Sequence, residues 1–358
     1  MYRTLIFLAA FIILTGCRGS GTGSTAVSQR YTKFDSIIDP AKPIAFGEDN
    51  DVYVFCDAGN WNRMESFVRS TIEREMFIVY NERYFNLYPS DIKDFDRISK
   101  YKNLILMGDL AGGDAVSRHI ISTLSAQHIE RIRQSGGEMY ITKNRWVRDQ
   151  IVLYLVAENS DKLEQLVAVQ SSNLFSILLK RLTERIAHHT YLTKTIAADF
   201  WQKYPFSLQI PENYRLYSND QSGRFVSFLY RARQADRQIP DKFVSVYYQP
   251  MAADSVTSDW LLAKRAELAA QYYDGDVFDA HSIRRERFTI AGFEGWRIIG
   301  PWENRKHLAG GGFQSFAFWH EPGKCAYLID NTVYFPAGEK LPILLELYMI
   351  SATIQIRK

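Results

Sequence analysis

The chain reads as two fold classes in series: a small three-layer α/β unit with a mostly parallel sheet, then an antiparallel α+β sandwich. Three observations predict this. Asn103-Leu104-Ile105-Leu106-Met107 is an apolar run bounded by polar turns, as a central parallel strand buried on both faces is. After Pro205 the pattern becomes a series of strands separated by polar and Gly-rich turns. Aromatic residues make up 14% of the chain, with 22 Phe and 21 Tyr, which favours a strand-rich half because such side chains pack well on a pleated surface.

Taken in order, Val52–Phe55 is a short buried strand, and Trp61–Glu75 follows with Met64, Phe67, Val68 and Ile72 at helical spacing. Met76–Tyr80 returns to strand, Phe85–Pro89 leads out of it, and Ser90-Asp91 opens a short helix to Lys100. The Asn103–Met107 strand runs into the loop Gly108–Asp114, where Asp114 can cap a helix carrying Ile120, Ile121 and Leu124. Met139–Thr142 and Ile151–Ala157 are two further strands, and the alternation implies right-handed crossovers. Asn159 to His188 is a long helix, with Ser171-Ser172-Asn173 a point where it can break in two. Beyond Pro205, strands are expected at Phe206–Ile210, Phe225–Tyr230, Phe243–Tyr248, Arg287–Ala291, Trp296–Trp302, Phe313–Trp319 and Cys325–Ile329. Trp260–Tyr273 forms the helix between them, and Pro342 starts a closing helix with Ile343, Leu347, Ile350 and Ile354 on one face.

The division that follows is 1–16 signal peptide, 17–41 tether, 42–158 α/β unit, 159–204 connecting helical segment and 205–358 α+β unit. Lys and Arg total 43 against 40 Asp and Glu; so small an excess, with no basic block, argues against a nucleic-acid partner. The first seventeen residues pair a basic Arg3 with an apolar run from Leu5 to Leu14. Ten apolar residues are too few to span the roughly 30 Å of a bilayer core, so this is an export signal. The Gly/Ser/Thr-rich stretch Arg18–Thr25 reads as flexible coil.

Two resemblances follow. Leu14-Thr15-Gly16-Cys17 resembles the lipobox of bacterial lipoproteins, which implies cleavage before Cys17, acylation of its thiol and a membrane partner through that lipid. Arg at position 18, rather than Asp, resembles an outer-membrane destination, and the lack of an acidic run resembles retention on the periplasmic side. The chain also resembles the DUF4837 lipoproteins of Bacteroidetes, through Leu14–Cys17, Asn103–Asp109, Phe206–Pro211 and the stretch from Gly295-Trp296-Arg297 to Gly310-Gly311-Gly312-Phe313. That family implies an envelope lipoprotein and brings no catalytic residues. The order of elements in the second half is similar to PsbP/Mog1-type sandwiches, a likeness of fold alone.

Trp296, Arg297, Trp302, Arg305, His307, Phe313 and Trp319 form the expected binding surface, since Trp and Arg favour recognition and the glycines at 310–312 permit close backbone approach. Asp109 and Asp114 mark a second expected site, the strand-to-helix loop of an open α/β sheet. That loop lacks GxGxxG and GK[ST], and its aspartates would repel phosphate. Cys56 and Cys325 are either a disulfide joining the halves or two thiols in separate cores. No Cys/His spacing points to zinc, GxSxG and HExxH are absent, and neither metal nor cofactor is expected. The expectation is an outer-membrane-anchored, periplasmic binding or scaffold protein with an envelope protein, glycan or lipid partner. The alternative is an envelope hydrolase using a convergence of Asp109, Asp114, His307, His320 or Glu321.

Overall fold

A computed structural model describes residues 39–357 except residue 236. The expected signal, Cys17 and most of the tether lie outside the described residues.

The first half is built on a five-stranded sheet of β1 (Asp51–Phe55), β4 (Asn86–Ser90), β5 (Asn103–Asp109), β6 (Gly137–Lys143) and β7 (Ile151–Ala157), in the order β4-β1-β5-β7-β6. The first four strands in that order run parallel, and β6 pairs antiparallel with β7. Alternation along each strand sends Val52, Val54, Ile105 and Met107 to one face, where α1 (Ala58–Ile72) and α5 (Ser160–Thr190) cover them. Phe55, Leu104 and Leu106 point to the other face, packed against α3 (Ala115–Thr123), α4 (Ala126–Ser135) and the short α2 (Phe95–Ile98). Every residue of β5 and β7 is buried, as their apolar runs require.

Several elements differ from the sequence reading. Phe85–Pro89 is not an exit but supplies the parallel edge strand β4, a position where the missing N–H of Pro89 is tolerated. A separate α4 follows α3; it is polar, and Ile132 is its one buried residue. The break at Ser171–Asn173 does not occur, because α5 runs uninterrupted for 31 residues, packed against α1 and the sheet. The Met76–Tyr80 region is a hairpin of β2 (Glu75–Phe77) and β3 (Asn81–Arg83).

The second half is a seven-stranded antiparallel sheet of β9 (Arg215–Asp220), β10 (Phe225–Tyr230), β11 (Asp241–Pro250), β12 (Arg284–Ile290), β13 (Phe293–Asn304), β14 (Ala309–His320) and β15 (Cys325–Tyr334). Its order is β12-β13-β14-β15-β11-β10-β9. One face carries Val244, Val246, Phe316, Phe318, Ile329 and Val333 against α7 (Leu341–Ser351) and the 198–210 segment, which holds the short β8 (Phe206–Ser207). The opposite face carries Phe225, Ile298, Trp302, Phe313, Ala317 and Leu328 against α6 (Ser258–Tyr272).

The halves are joined through the hairpin. Met76 and Ile78 enter the core under α7, and a Cβ on Gly312 would come within 2.2 Å of Ile78 Cγ2. The first turn of α7 has no side-chain cap of its own; Glu82 accepts from the backbone N–H groups of Lys340 (2.7 Å) and Leu341 (2.6 Å) instead. Cys56 and Cys325 are free thiols, so the disulfide alternative is corrected: Cys56 packs against the core of the first sheet, Cys325 lies in the core beneath α7. Burial pushes the Cys56 thiol up to about 12, aided by Asp57, Asp114 and Asp109, which keeps it protonated at neutral pH.

Candidate functional site

Helix α6 begins on a Thr257 cap and turns Leu261, Arg265, Leu268 and Ala269 toward the sheet. It stops at Tyr273, and the chain turns away through Asp274 (φ 55°) and Gly275 (φ 84°), left-handed positions that end a helix. Asn304, the last residue of β13, donates from Nδ2 to Tyr273 O (3.3 Å) and Asp274 O (3.4 Å), so the helix end lies beside the strand end. A cleft of about 440 Å³ opens there, lined by the end of α6 and by residues of β9, β11, β13 and β15.

Aromatic side chains wall this cleft on two sides. Tyr217, Phe243 and Tyr273 pack together, with ring centroids 5.3 to 6.3 Å apart. Trp302 and Tyr334 face each other at 6.5 Å. Tyr217 is 48% exposed, so an apolar ring stands open to ligand there. The polar floor holds Thr332, Asn304 and Asp276. Asp276 is 8% exposed and accepts from Asn304 Nδ2 at 2.7 Å. Burial pushes its carboxyl above the ordinary value, against the opposing effects of Asn304 and Arg265. At the mouth, Arg231 donates twice to Asp241, from Nε at 2.9 Å and Nη2 at 2.6 Å. His307 Nε2 lies 2.9 Å from Asp274, and the His307 hydrogen bond holds the Asp274 carboxyl below its ordinary value. A second cavity of about 750 Å³, walled by Phe278, Pro301 and Arg305, adjoins the first at Trp302 and Asp274.

A buried ion network sits beneath the floor. Arg265, 1% exposed, stacks 3.5 Å from the Phe313 ring centre and 4.9 Å from that of Phe278, and its Nε donates to Asp330 at 3.3 Å. Asp330 also accepts from Ser315 and Thr332. The sign of the Asp276 effect gives a prediction. A carboxyl whose folded pKa is raised contributes stability below its unfolded pKa, and that contribution is lost as pH rises through the folded value. Asp276→Asn should therefore melt no lower than the wild type at pH 7, with any advantage vanishing below about pH 4. Thermal melts across pH check this; a lower melting temperature at pH 7 alone would contradict it.

The seven residues expected to form one surface do not. Trp302 and Phe313 are core residues, a correction forced by the alternation that turns both toward α6; Trp302 donates to Val333 O at 3.2 Å and shows one side to the cleft. His307 is at the mouth, and Arg305 pairs with Glu303 on the adjoining rim. Arg297 is on the opposite face of β13, stacked on Phe288 and paired with Glu286. Trp296 lies under Arg287, and Trp319 Nε1 is held by Met251 O at 2.9 Å.

The loop after β5 is satisfied by its own chain. Asp114 caps α3 through Ser117 N (2.8 Å), and Asp109, 2% exposed, accepts from Asn60 Nδ2 and Ser160 Oγ at 3.4 and 3.2 Å. The hydrolase set does not converge either: Asp109 ends β5 and Asp114 caps α3 in the first half, while His307 precedes β14 and His320 closes its other end. Sequence reasoning missed Tyr217, Phe243, Tyr273, Asp274, Asp276 and Tyr334. The Tyr273-Asp274-Gly275-Asp276 turn at a helix end was the one local signal available. Among the described residues, no group of three or more His, Cys, Asp or Glu side chains is placed to hold a metal.

No curated protein matches the chain. Among solved structures, one from Bacteroides thetaiotaomicron is similar at 14% identity and a TM-score of 0.28, covering 46% of this chain and 49% of its own. The chain thus spans about half the length of that structure. The Ran-binding protein Mog1p of Saccharomyces cerevisiae is similar at 8% identity and a TM-score of 0.31, covering 42% of this chain and 90% of its own. LpqN of Mycobacterium tuberculosis, described as involved in cell envelope biogenesis, is similar at 11% identity and a TM-score of 0.27, covering 43% of this chain and 83% of its own. Residues 193–353, a span that contains every residue of the cleft, match the family described as "Domain of unknown function (DUF4837)".

Proposed function

We propose that this is a non-enzymatic binding protein of the cell envelope that takes its ligand in the cleft beyond the end of α6. One observation carries the reading. Where α6 ends beside the strand ends a cleft is open, lined with aromatic rings and floored by a buried carboxylate. The lipobox-like Leu14–Cys17 supports delivery to the outer membrane, with the folded part facing the periplasm. Retention of envelope fractions by the purified protein tests the cleft. Tyr217→Ala, a change at an exposed ring, should lose most of the captured material while its melting temperature stays put. Equal capture by both proteins would remove the cleft from the reading.

The anchor has its own test. In cells, Cys17→Ala should lose fatty-acid labelling and run as the uncleaved precursor; normal labelling would refute lipid attachment there. Stable anchoring requires more than one acyl chain, since a single chain binds only marginally.

One contact favours a second reading, an envelope hydrolase acting on cell-wall or lipid material: His307 and Asp274 form a histidine–carboxylate pair at the cleft mouth. Turnover of such material by the wild type that disappears in His307→Ala would establish it. Capture without turnover leaves binding as the function.

A further inference from the structure

We infer that the cleft selects an organic ammonium group, held against the aromatic walls with its charge toward Asp276. The inference rests on the cleft being the binding site and adds the chemistry of what enters it.

Charge pairing in and around the cleft leads to it. Arg231 is neutralised by Asp241, and Asp274 at the mouth is shared by His307 and Lys306. Below the floor, Arg265 pairs with Asp330 through Nε; its charge also acts on Asp276, but Arg265 does not line the cleft. Asp276 remains. It is buried, it lines the cavity, and among the described residues its hydrogen-bond partner is the neutral amide of Asn304. The C-terminal end of α6 adds the negative pole of a helix beside it. A carboxylate this enclosed gains most from a ligand that brings positive charge.

The walls suit the same ligand. Tyr217, Phe243 and Tyr273 on one side, with Trp302 and Tyr334 on the other, present ring faces and edges around a space large enough for a methylated ammonium. Cations are attracted to such rings, most strongly where water is excluded. An anionic ligand would face Asp276 and Asp241, and Arg231, among the described residues the one Arg or Lys in the lining, is already paired with Asp241. A neutral ligand could use the rings but would bring no charge to Asp276. An ammonium group occurs both on lipid headgroups and on free amines, and the cleft chemistry is shared by the two.

Titration calorimetry at constant ionic strength tests this with tetramethylammonium and with tert-butanol, a neutral molecule of similar size. Tetramethylammonium should saturate and bind about tenfold more tightly than tert-butanol. Asp276→Asn and Tyr217→Ala should each weaken tetramethylammonium binding about tenfold, with tert-butanol affinity unchanged in Asp276→Asn. The source is then resolved by comparing spermidine with vesicles of phosphatidylethanolamine: tighter binding to either names it. Equal affinity for tetramethylammonium and tert-butanol, no saturable heat with tetramethylammonium, or full binding by Asp276→Asn would overturn the inference. If it is overturned while capture of envelope fractions still depends on Tyr217, the cleft remains the binding site and only the ligand class is wrong. If capture is indifferent to Tyr217, the cleft itself is excluded.

Discussion

Arg185→Ala should destabilise the protein by about 3–5 kcal/mol, the range seen when one partner of a buried charge network is removed. Arg185 is fully buried on α5, and its guanidinium reaches the N-terminal ends of three neighbouring strands at once. Nε and Nη2 donate to Asp149, just before β7, through the side chain at 2.8 Å and the backbone carbonyl at 2.9 Å. Nη1 donates to Asn103 Oδ1 at the start of β5 (2.9 Å) and to Asp49 O before β1 (3.0 Å). Removing it takes a donor from the Asp149 carboxylate, from the Asn103 amide oxygen and from the backbone carbonyls of Asp49, Lys102 and Asp149 in a place water cannot easily fill. Arg185→Lys should restore only part of the loss, because an ammonium cannot direct donors along the planar fork that these acceptors match. Urea unfolding is the measurement. The midpoint should fall with the slope unchanged, and a loss below 1 kcal/mol would mean the network is not holding the strand ends together.

Gly311→Ala should cost about 3 kcal/mol or more, at the upper end for overpacking, because the obstruction is backbone. A Cβ at Gly311 would lie 2.0 Å from the carbonyl oxygen of Val333 and 2.9 Å from Trp302 Nε1. Gly311 pairs with Trp302 across β13 and β14, so the missing side chain is what allows the indole to lie over the neighbouring strand and donate to Val333. The substitution disturbs a ladder and a cleft wall together, and ligand capture should fall with stability. Gly113→Ala is the control: nothing lies within 4 Å of its Cβ, and the change should stay within about 0.5 kcal/mol. Thermal melts of the two side by side would expose a general intolerance of Gly→Ala changes, should both proteins melt early.

Much of the architecture was legible because burial writes itself into composition. Strands β5 and β7 are covered on both faces and are apolar at nearly every position, so no period had to be guessed. Strands that touch solvent leave weaker marks. Arg215-Leu216-Tyr217-Ser218-Asn219-Asp220 is an edge strand with little burial, and no alternation announced it. Strand β4 carries a proline, which reads as a breaker until its edge position is known. The cleft was hidden for a different reason. Tyr217, Phe243, Tyr273, Trp302 and Tyr334 come from different elements, and a tyrosine at a cleft wall has the same sequence signature as one in a core. What made the cleft was the meeting of the end of α6 with residues of β9, β11, β13 and β15, a relation between elements that no local window contains.

The matched span 193–353 excludes the β2–β3 hairpin and so omits Ile78 and Glu82. A fragment cut at those limits would carry an empty socket beside Gly312 and two bare amides at the head of its last helix. The stretch that matches the family and the stretch that packs together therefore have different borders here. Transplanting the matched segment into another protein calls for grafting residues 75–83 along with it.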